Sequence, residues 1–243
     1  MTALGALIDH PAFAGFGRLL LPWVDRAVDR DMRLREVGTL LPYRTHVEPA
    51  VVAGAQPPDR RCRGRSPDRL RHLRAAEKDA DPFMRNTALF FMAGRSGAPF
   101  AVIAPGGGFA YVGSVHEGFP YAAEISARGY DAFVLKYRAG RGVAVATQDL
   151  AAAMSFVIRH ARDLGVATNS YSLWGSSAGA RVAASIGSHG VAAFGGDNLL
   201  KPAAIVSGSG RSRNDRSHAL TSGRLRAPPW PVPPGALTHE RPS

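Results

Sequence analysis

Between Thr87 and Val206, short apolar runs alternate with stretches whose apolar residues recur every three or four positions. This alternation constrains the fold more than any other feature. Strand candidates are Thr87–Met92, Pro99–Ala104, Asp131–Tyr137, Tyr171–Trp174 and Ala203–Val206. Helix candidates lie between them. Tyr121–Arg128 closes at Gly129. A helix capped by Thr147 runs to about Leu164 and closes at Gly165, with Leu150, Ala153, Met154, Val157, Ile158 and Ala161 on one face. Ser177–Ile186 follows. Strands separated by single helices predict right-handed βαβ units and a mostly parallel sheet. Apolar residues make up 45% of the 243, enough for a sizeable core.

The flanks read differently. Ala3–Leu41 suggests helical pieces, with Phe13, Phe16, Leu19 and Leu20 at helical spacing and Pro22 ending the run. The expected organisation is an N-terminal helical segment (1–50), an Arg/Pro-rich loop or disordered stretch (51–85), an α/β core (86–207) and a Pro/Arg-rich disordered tail (208–243). Five of the seven residues from Pro228 to Pro234 are proline, which excludes a central strand there.

The net charge of +11 suggests nucleic acid at first sight, but its distribution argues against that. From Val51 to Ala75, seven arginines stand against Asp59 and Asp68, a net +5. From Lys201 to Ser243, Lys201 and six arginines stand against Asp215 and Glu240, again +5. The remainder is almost neutral, whereas a basic face on a folded domain draws from many segments. A nucleic-acid groove also interleaves aromatics, and the two blocks offer only Trp230. No nucleic-acid partner is expected. The shared Arg, Pro, Ser and Gly richness of the blocks fits out-of-frame translation of a GC-rich gene, and equally a genuine basic linker and tail. With one cysteine, Cys62, there is neither an internal disulfide framework nor a Cys-rich zinc module. No apolar run suits a membrane span, and Met1–Leu21 lacks a basic n-region, so the expectation is a cytoplasmic chain without a membrane partner.

Two glycine-rich motifs carry the chemistry. Gly175-Ser176-Ser177-Ala178-Gly179 fits G-x-S-x-G between a strand and an alanine-rich helix, the setting of a nucleophile elbow. Ser177 is then the nucleophile, and Ala178 N–H, at the helix start, faces a developing oxyanion. The alternative is a plain Gly/Ser turn before a helix. Pro105-Gly106-Gly107-Gly108-Phe109 directly follows a strand. It is not a dinucleotide fingerprint, because Tyr111 stands where the third glycine belongs, and it lacks the Gly-Lys-Ser/Thr of a P-loop. A flexible turn is the remaining alternative. A glycine loop one strand–helix–strand–helix unit before a serine elbow is the order of an oxyanion loop and its nucleophile.

On Ala98–Phe109, His116-Glu-Gly-Phe-Pro120 and Tyr171–Arg181, the chain resembles the α/β-hydrolase superfamily, and within it the small esterase and acetylhydrolase-like members. The resemblance implies a three-layer α/β-hydrolase-like sandwich, truncated on its C-terminal side. It implies hydrolysis of a small ester through an acyl-enzyme on Ser177, with no metal or organic cofactor. The oxyanion hole would come from the N–H of Gly107 or Gly108 and of Ala178. Tyr111 and His116, on the loop after the glycines, would lie near the substrate. In this superfamily an acid and a histidine follow the serine. After Val206 the candidates are Asp215 and His239, which have the right chain order but stand in Pro/Arg-rich sequence. A non-catalytic remnant or binding protein of the same fold is the second expectation.

Overall fold

The computed structural model of the chain describes residues 3–13, 17–42 and 82–208. The first Arg-rich block, Val51–Ala75, and the second from residue 209 onward, with Asp215 and His239, lie outside the described residues.

Five strands form one sheet: β1 (Ala88–Met92), β2 (Ala98–Ala104), β3 (Asp131–Lys136), β4 (Val166–Ser176) and β5 (Ala204–Gly208). Their order is β1-β3-β2-β4-β5. β2 pairs in parallel with β3 and β4, and β4 with β5, while β1 is antiparallel to β3. The sheet is therefore mostly parallel and buried on both faces, which is why its strands read as unbroken apolar runs. Helices on both faces of a mostly parallel sheet make the three-layer α/β arrangement expected from the sequence.

Alternating side chains supply two cores. Phe100, Val102, Phe133, Leu135 and Leu173 face α4 (Gly142–Arg159) and α6 (Ala178–His189), through Leu150, Met154, Val157, Val182 and Ile186. Ala101, Ile103, Ala132, Val134 and Trp174 face the other way, onto α3 (Phe119–Ala127). Leu4, Leu7, Leu20, Leu21, Leu34 and Val37 of the N-terminal segment complete that second layer. The helical pieces expected there are one short helix, α1 (Leu4–Ile8), and the 3-10 turns Pro11–Phe13, Gly17–Leu20 and Leu34–Leu40. Phe16 is outside the described residues.

Two expectations need correction. Thr147 is not an N-cap: α4 begins five residues earlier at Gly142, and Thr147 Oγ1 donates to Val143 O at 2.8 Å from inside it. A threonine hydroxyl satisfies a carbonyl one turn back as readily as it caps, so its presence does not locate a helix start. That helix also stops at Arg159. His160, at φ −105, separates it from α5 (Ala161–Leu164), which ends at Gly165 with φ 63, the left-handed closure expected there.

Lys136, at the end of β3, is only 2% exposed. Its ammonium donates to Leu21 O at 2.5 Å and Pro22 O at 3.0 Å, tying the N-terminal segment to the sheet. Burial, and secondarily the Arg18 charge, lower its pKa from the ordinary 10.5 to about 7, against a smaller upward pull from Asp25. Between those two values the unfolded chain holds a proton that the folded chain has lost. Stability should therefore rise with pH from about 7 to 10.5, by up to about 1.4 kcal/mol per pH unit from this group. Below about 7 both states are protonated and this slope vanishes. Urea unfolding at several pH values, with Lys136→Met beside the parent, isolates the effect. Equal pH slopes for the two proteins would refute it.

Candidate active site

The site is built where β2 and β4 end side by side. Ile103 pairs with Trp174 and Ala104 with Gly175, so Pro105–Phe109 and Gly175–Gly179 leave the same edge of the sheet as neighbours. Gly106 touches the elbow: a β-carbon built there would stand 2.9 Å from Ser177 Cβ and 2.8 Å from Ser176 O. Any larger residue would push the two segments apart. The two motifs are thus one site in space.

Ser177 separates β4 from α6 and holds φ 49, ψ −115. Few non-glycine residues accept such a backbone, which costs about 1–3 kcal/mol and persists where the surroundings enforce it. Here Ser177 N–H donates to Gly208 O of β5 at 3.0 Å, and Ser177 O accepts from Ala180 N–H at 3.1 Å. The tight turn leaves Ser177 exposed while Ser176 and Ala178 on either side are buried. Ala178 opens α6, so its N–H belongs to the first turn, where amides lack intrahelical acceptors.

Four of the five carbonyls of the glycine loop accept a hydrogen bond from a described residue. Pro105 O accepts from Tyr137 OH at 2.9 Å. Gly106 O accepts from Gly113 N–H at 2.9 Å, Gly107 O from Ala110 and Tyr111 N–H at 3.0 and 3.2 Å, and Phe109 O from Gly140 N–H at 2.6 Å. The amides of Gly107 and Gly108 donate to nothing among the described residues. Gly107 (φ 133), Gly108 (φ 60) and Phe109 (φ 62) turn the chain through the left-handed region to arrange this. The loop therefore offers a ligand the adjacent amides of Gly107 and Gly108, with Gly108 O the one loop carbonyl that no described residue engages; an oxyanion would need such donors.

Tyr111 lies on the loop, 7% exposed, with its ring centroid 5.0 Å from that of Trp23. Trp23 is held by its indole N–H on Leu40 O at 2.8 Å, so the N-terminal segment reaches this side of the site. His116 is not on a loop: it belongs to α2 (Ser114–Glu117), a single helical turn. Its side chain is 21% exposed, with Nε2 3.4 Å from Glu117 Oε1 and Nδ1 buried without a partner among the described residues. The sequence reading gave no role to Glu117, whose Oε2 accepts from Gly106 N–H at 2.7 Å. An acid beside a histidine in a short polar stretch has no periodicity to betray it. Only the glycine loop eleven residues earlier hints at a backbone needing an acceptor.

Ser177 Oγ makes no hydrogen bond with any described residue. Of the described histidines, His160 and His189 place Nδ1 on carbonyls of their own helical turns, Phe156 O and Ser185 O. Asp215 and His239 lie outside the described residues. Among the described residues no cluster of three or more His, Cys, Asp or Glu side chains could hold a metal ion, and no helix is long and apolar enough to cross a membrane.

Residues 91–201 match the family model BD-FAE, a span holding both glycine motifs. Among solved structures, the α/β-hydrolase enzyme MGS-M1 from a Medee basin deep-sea metagenome library is 23% identical, with a TM-score of 0.45 over 58% of this chain and 59% of that one. The Thermogutta terrifontis esterase Est2 is 24% identical, with a TM-score of 0.43 over 50% and 47% of the two chains. A bacterial heroin esterase is 22% identical, with a TM-score of 0.44 over 50% and 38%. This chain thus spans between 38% and 59% of the length of these three structures. No curated protein matches it at a significant level. The segment 91–201, which holds the parallel strands, the strained serine turn and the glycine loop, is similar to the BD-FAE family, a family of α/β-hydrolase type.

Proposed function

We propose that this chain is a serine hydrolase of carboxylesterase or acetylhydrolase type, acting on small esters through an acyl-enzyme on Ser177. One observation carries the reading: an exposed serine in a strained strand-to-helix turn adjoins a loop whose Gly107 and Gly108 amides donate to no described residue. In the forward step Ser177 Oγ bonds to the ester carbonyl carbon and its proton passes to a base. The carbonyl oxygen takes the negative charge and is met by the N–H of Gly107 or Gly108 and of Ala178. Collapse breaks the bond to the alcohol, which leaves with the proton, and water then releases the acid by the same route. No metal or organic cofactor enters this scheme. Residues 86–207 are the hydrolase unit, and the described part of the N-terminal segment packs on one face of it. Asp215 and His239 are the sequence's candidates for acid and base. Tyr111 and His116 are the candidates for substrate contact.

A second reading has its own observation. Ser177 Oγ is bonded to no described histidine, and a hydrolase fold without a base would bind esters or acyl groups rather than turn them over. The test is covalent trapping. The purified chain is mixed with p-nitrophenyl acetate, quenched in acid, digested and weighed peptide by peptide. Acetyl on the peptide bearing Ser177, and absent from Ser177→Ala, is expected. Unmodified protein, or equal labelling of lysines in both, would overturn the nucleophile.

A further inference from the structure

The peptide unit joining Pro105 to Gly106 is gripped at both ends by side chains from different elements. Its carbonyl accepts from Tyr137 OH at 2.9 Å, and its N–H donates to Glu117 Oε2 at 2.7 Å. Glu117 sits at the end of α2 with 19% of its side chain exposed, and its other oxygen faces His116 Nε2 at 3.4 Å. Burial first, and the Glu117 charge second, hold the Tyr137 hydroxyl protonated well above its ordinary range. A β-carbon on Gly106 would stand 2.4 Å from Glu117 Oε2 and 2.9 Å from Ser177 Cβ. Carboxylate and serine therefore flank the same glycine.

From this we infer that Glu117 is a positioning residue: by holding Gly106 N–H, its carboxylate sets the orientation of the loop and aims the Gly107 and Gly108 amides at the oxyanion on Ser177. The inference rests on the proposed role of Ser177 and the glycine loop. A planar peptide fixed by an acceptor at its N–H and a donor at its carbonyl cannot rotate, and the next peptide starts from that fixed plane. A carboxylate accepting from a backbone amide makes a charge-assisted bond, stronger than a neutral one. Glycine has the least intrinsic preference of any residue, so three in a row need an outside clamp to favour one geometry. An oxyanion donor helps only if it is in place before the charge develops.

The experiment uses the full chain as parent, Glu117→Gln and Glu117→Ala. The first readout is amide hydrogen exchange, resolved to Gly106, with residues 131–136 of β3 as the internal reference for intact folding. Gly106 exchange should quicken about tenfold or more in Glu117→Ala and less in Glu117→Gln, whose amide oxygen still accepts, while β3 protection is unchanged. The second readout is Ser177 acetylation by p-nitrophenyl acetate against concentration. The limiting rate should fall about tenfold or more in Glu117→Ala with half-saturation little changed, the mark of a group serving the transition state, and Glu117→Gln should recover part of it. Equal Gly106 exchange in all three proteins would overturn the clamp. Quickened Gly106 exchange with an undiminished acetylation rate would overturn its catalytic purpose. If the parent itself is never acetylated while Gly106 exchange still depends on Glu117, the clamp stands as a property of the loop and the hydrolase reading is what falls.

Discussion

Turnover of p-nitrophenyl acetate by this chain is expected to be slow, no more than about 10³–10⁴-fold over water, and His239→Ala is expected to leave it unchanged. A serine hydroxyl is a weak nucleophile near neutral pH, and the base that removes its proton supplies most of the activation. Ser177 Oγ is bonded to no described residue. What the described site does hold is the strained turn and the amide-lined loop. An oxyanion hole and binding alone account for acceleration of the size expected here, and losing the serine or the histidine costs about as much as losing the whole triad. Ser177→Ala should remove the covalent intermediate while changing slow steady-state turnover little. Rapid turnover, abolished alike by Ser177→Ala and His239→Ala, would instead mean that the Pro-rich tail delivers the base, and Asp215 with His239 would complete the triad.

The strands were readable because a buried parallel strand has no polar face to hide its signal. Val102 and Ile103 point to opposite cores, yet both are apolar. Where one strand leaves the core the signal fades: β4 starts at Val166, but Thr168 and Asn169 are exposed, and only Tyr171–Trp174 reads as strand. The two glycine motifs were legible because their backbone needs special residues. Their meeting in space followed from strand adjacency, which chain order suggested and the Ala104–Gly175 register shows. The N-terminal layer was less legible. Its 3-10 turns are too short to build a helical period, and Leu20 and Leu34 meet the sheet through tertiary packing alone. Glu117 was illegible for a related reason: a side chain that serves a distant backbone amide leaves no pattern in its own neighbourhood.

Gly179→Ala is expected to cost about 3 kcal/mol or more, enough to unfold a marginal domain, although it adds one methyl group. Alanine ordinarily favours a helix over glycine by about 1 kcal/mol, and Gly179 lies in the first turn of α6, so propensity alone predicts a gain. Space decides the sign. A β-carbon on Gly179 would stand 1.9 Å from Ala104 O and 2.7 Å from Pro105 O. Both are backbone atoms at the end of β2 and cannot rotate aside. Relief requires α6 to lift from the sheet, which would strip Val182 and Ile186 from the core and pull Ser177 away from the glycine loop. Gly175 faces the same junction from β4, with Gly179 O 2.4 Å from its own built β-carbon, so the strand cannot yield either. Gly108→Ala is the control. Nothing lies within 4 Å of its built β-carbon, and only its φ of 60 opposes a side chain, at about 1–2 kcal/mol. Urea midpoints of the two variants against the parent separate crowding from backbone strain. If Gly179→Ala proves as stable as the parent, the close approach of α6 to β2 is wrong, and with it the geometry that brings Ser177 to the glycine loop.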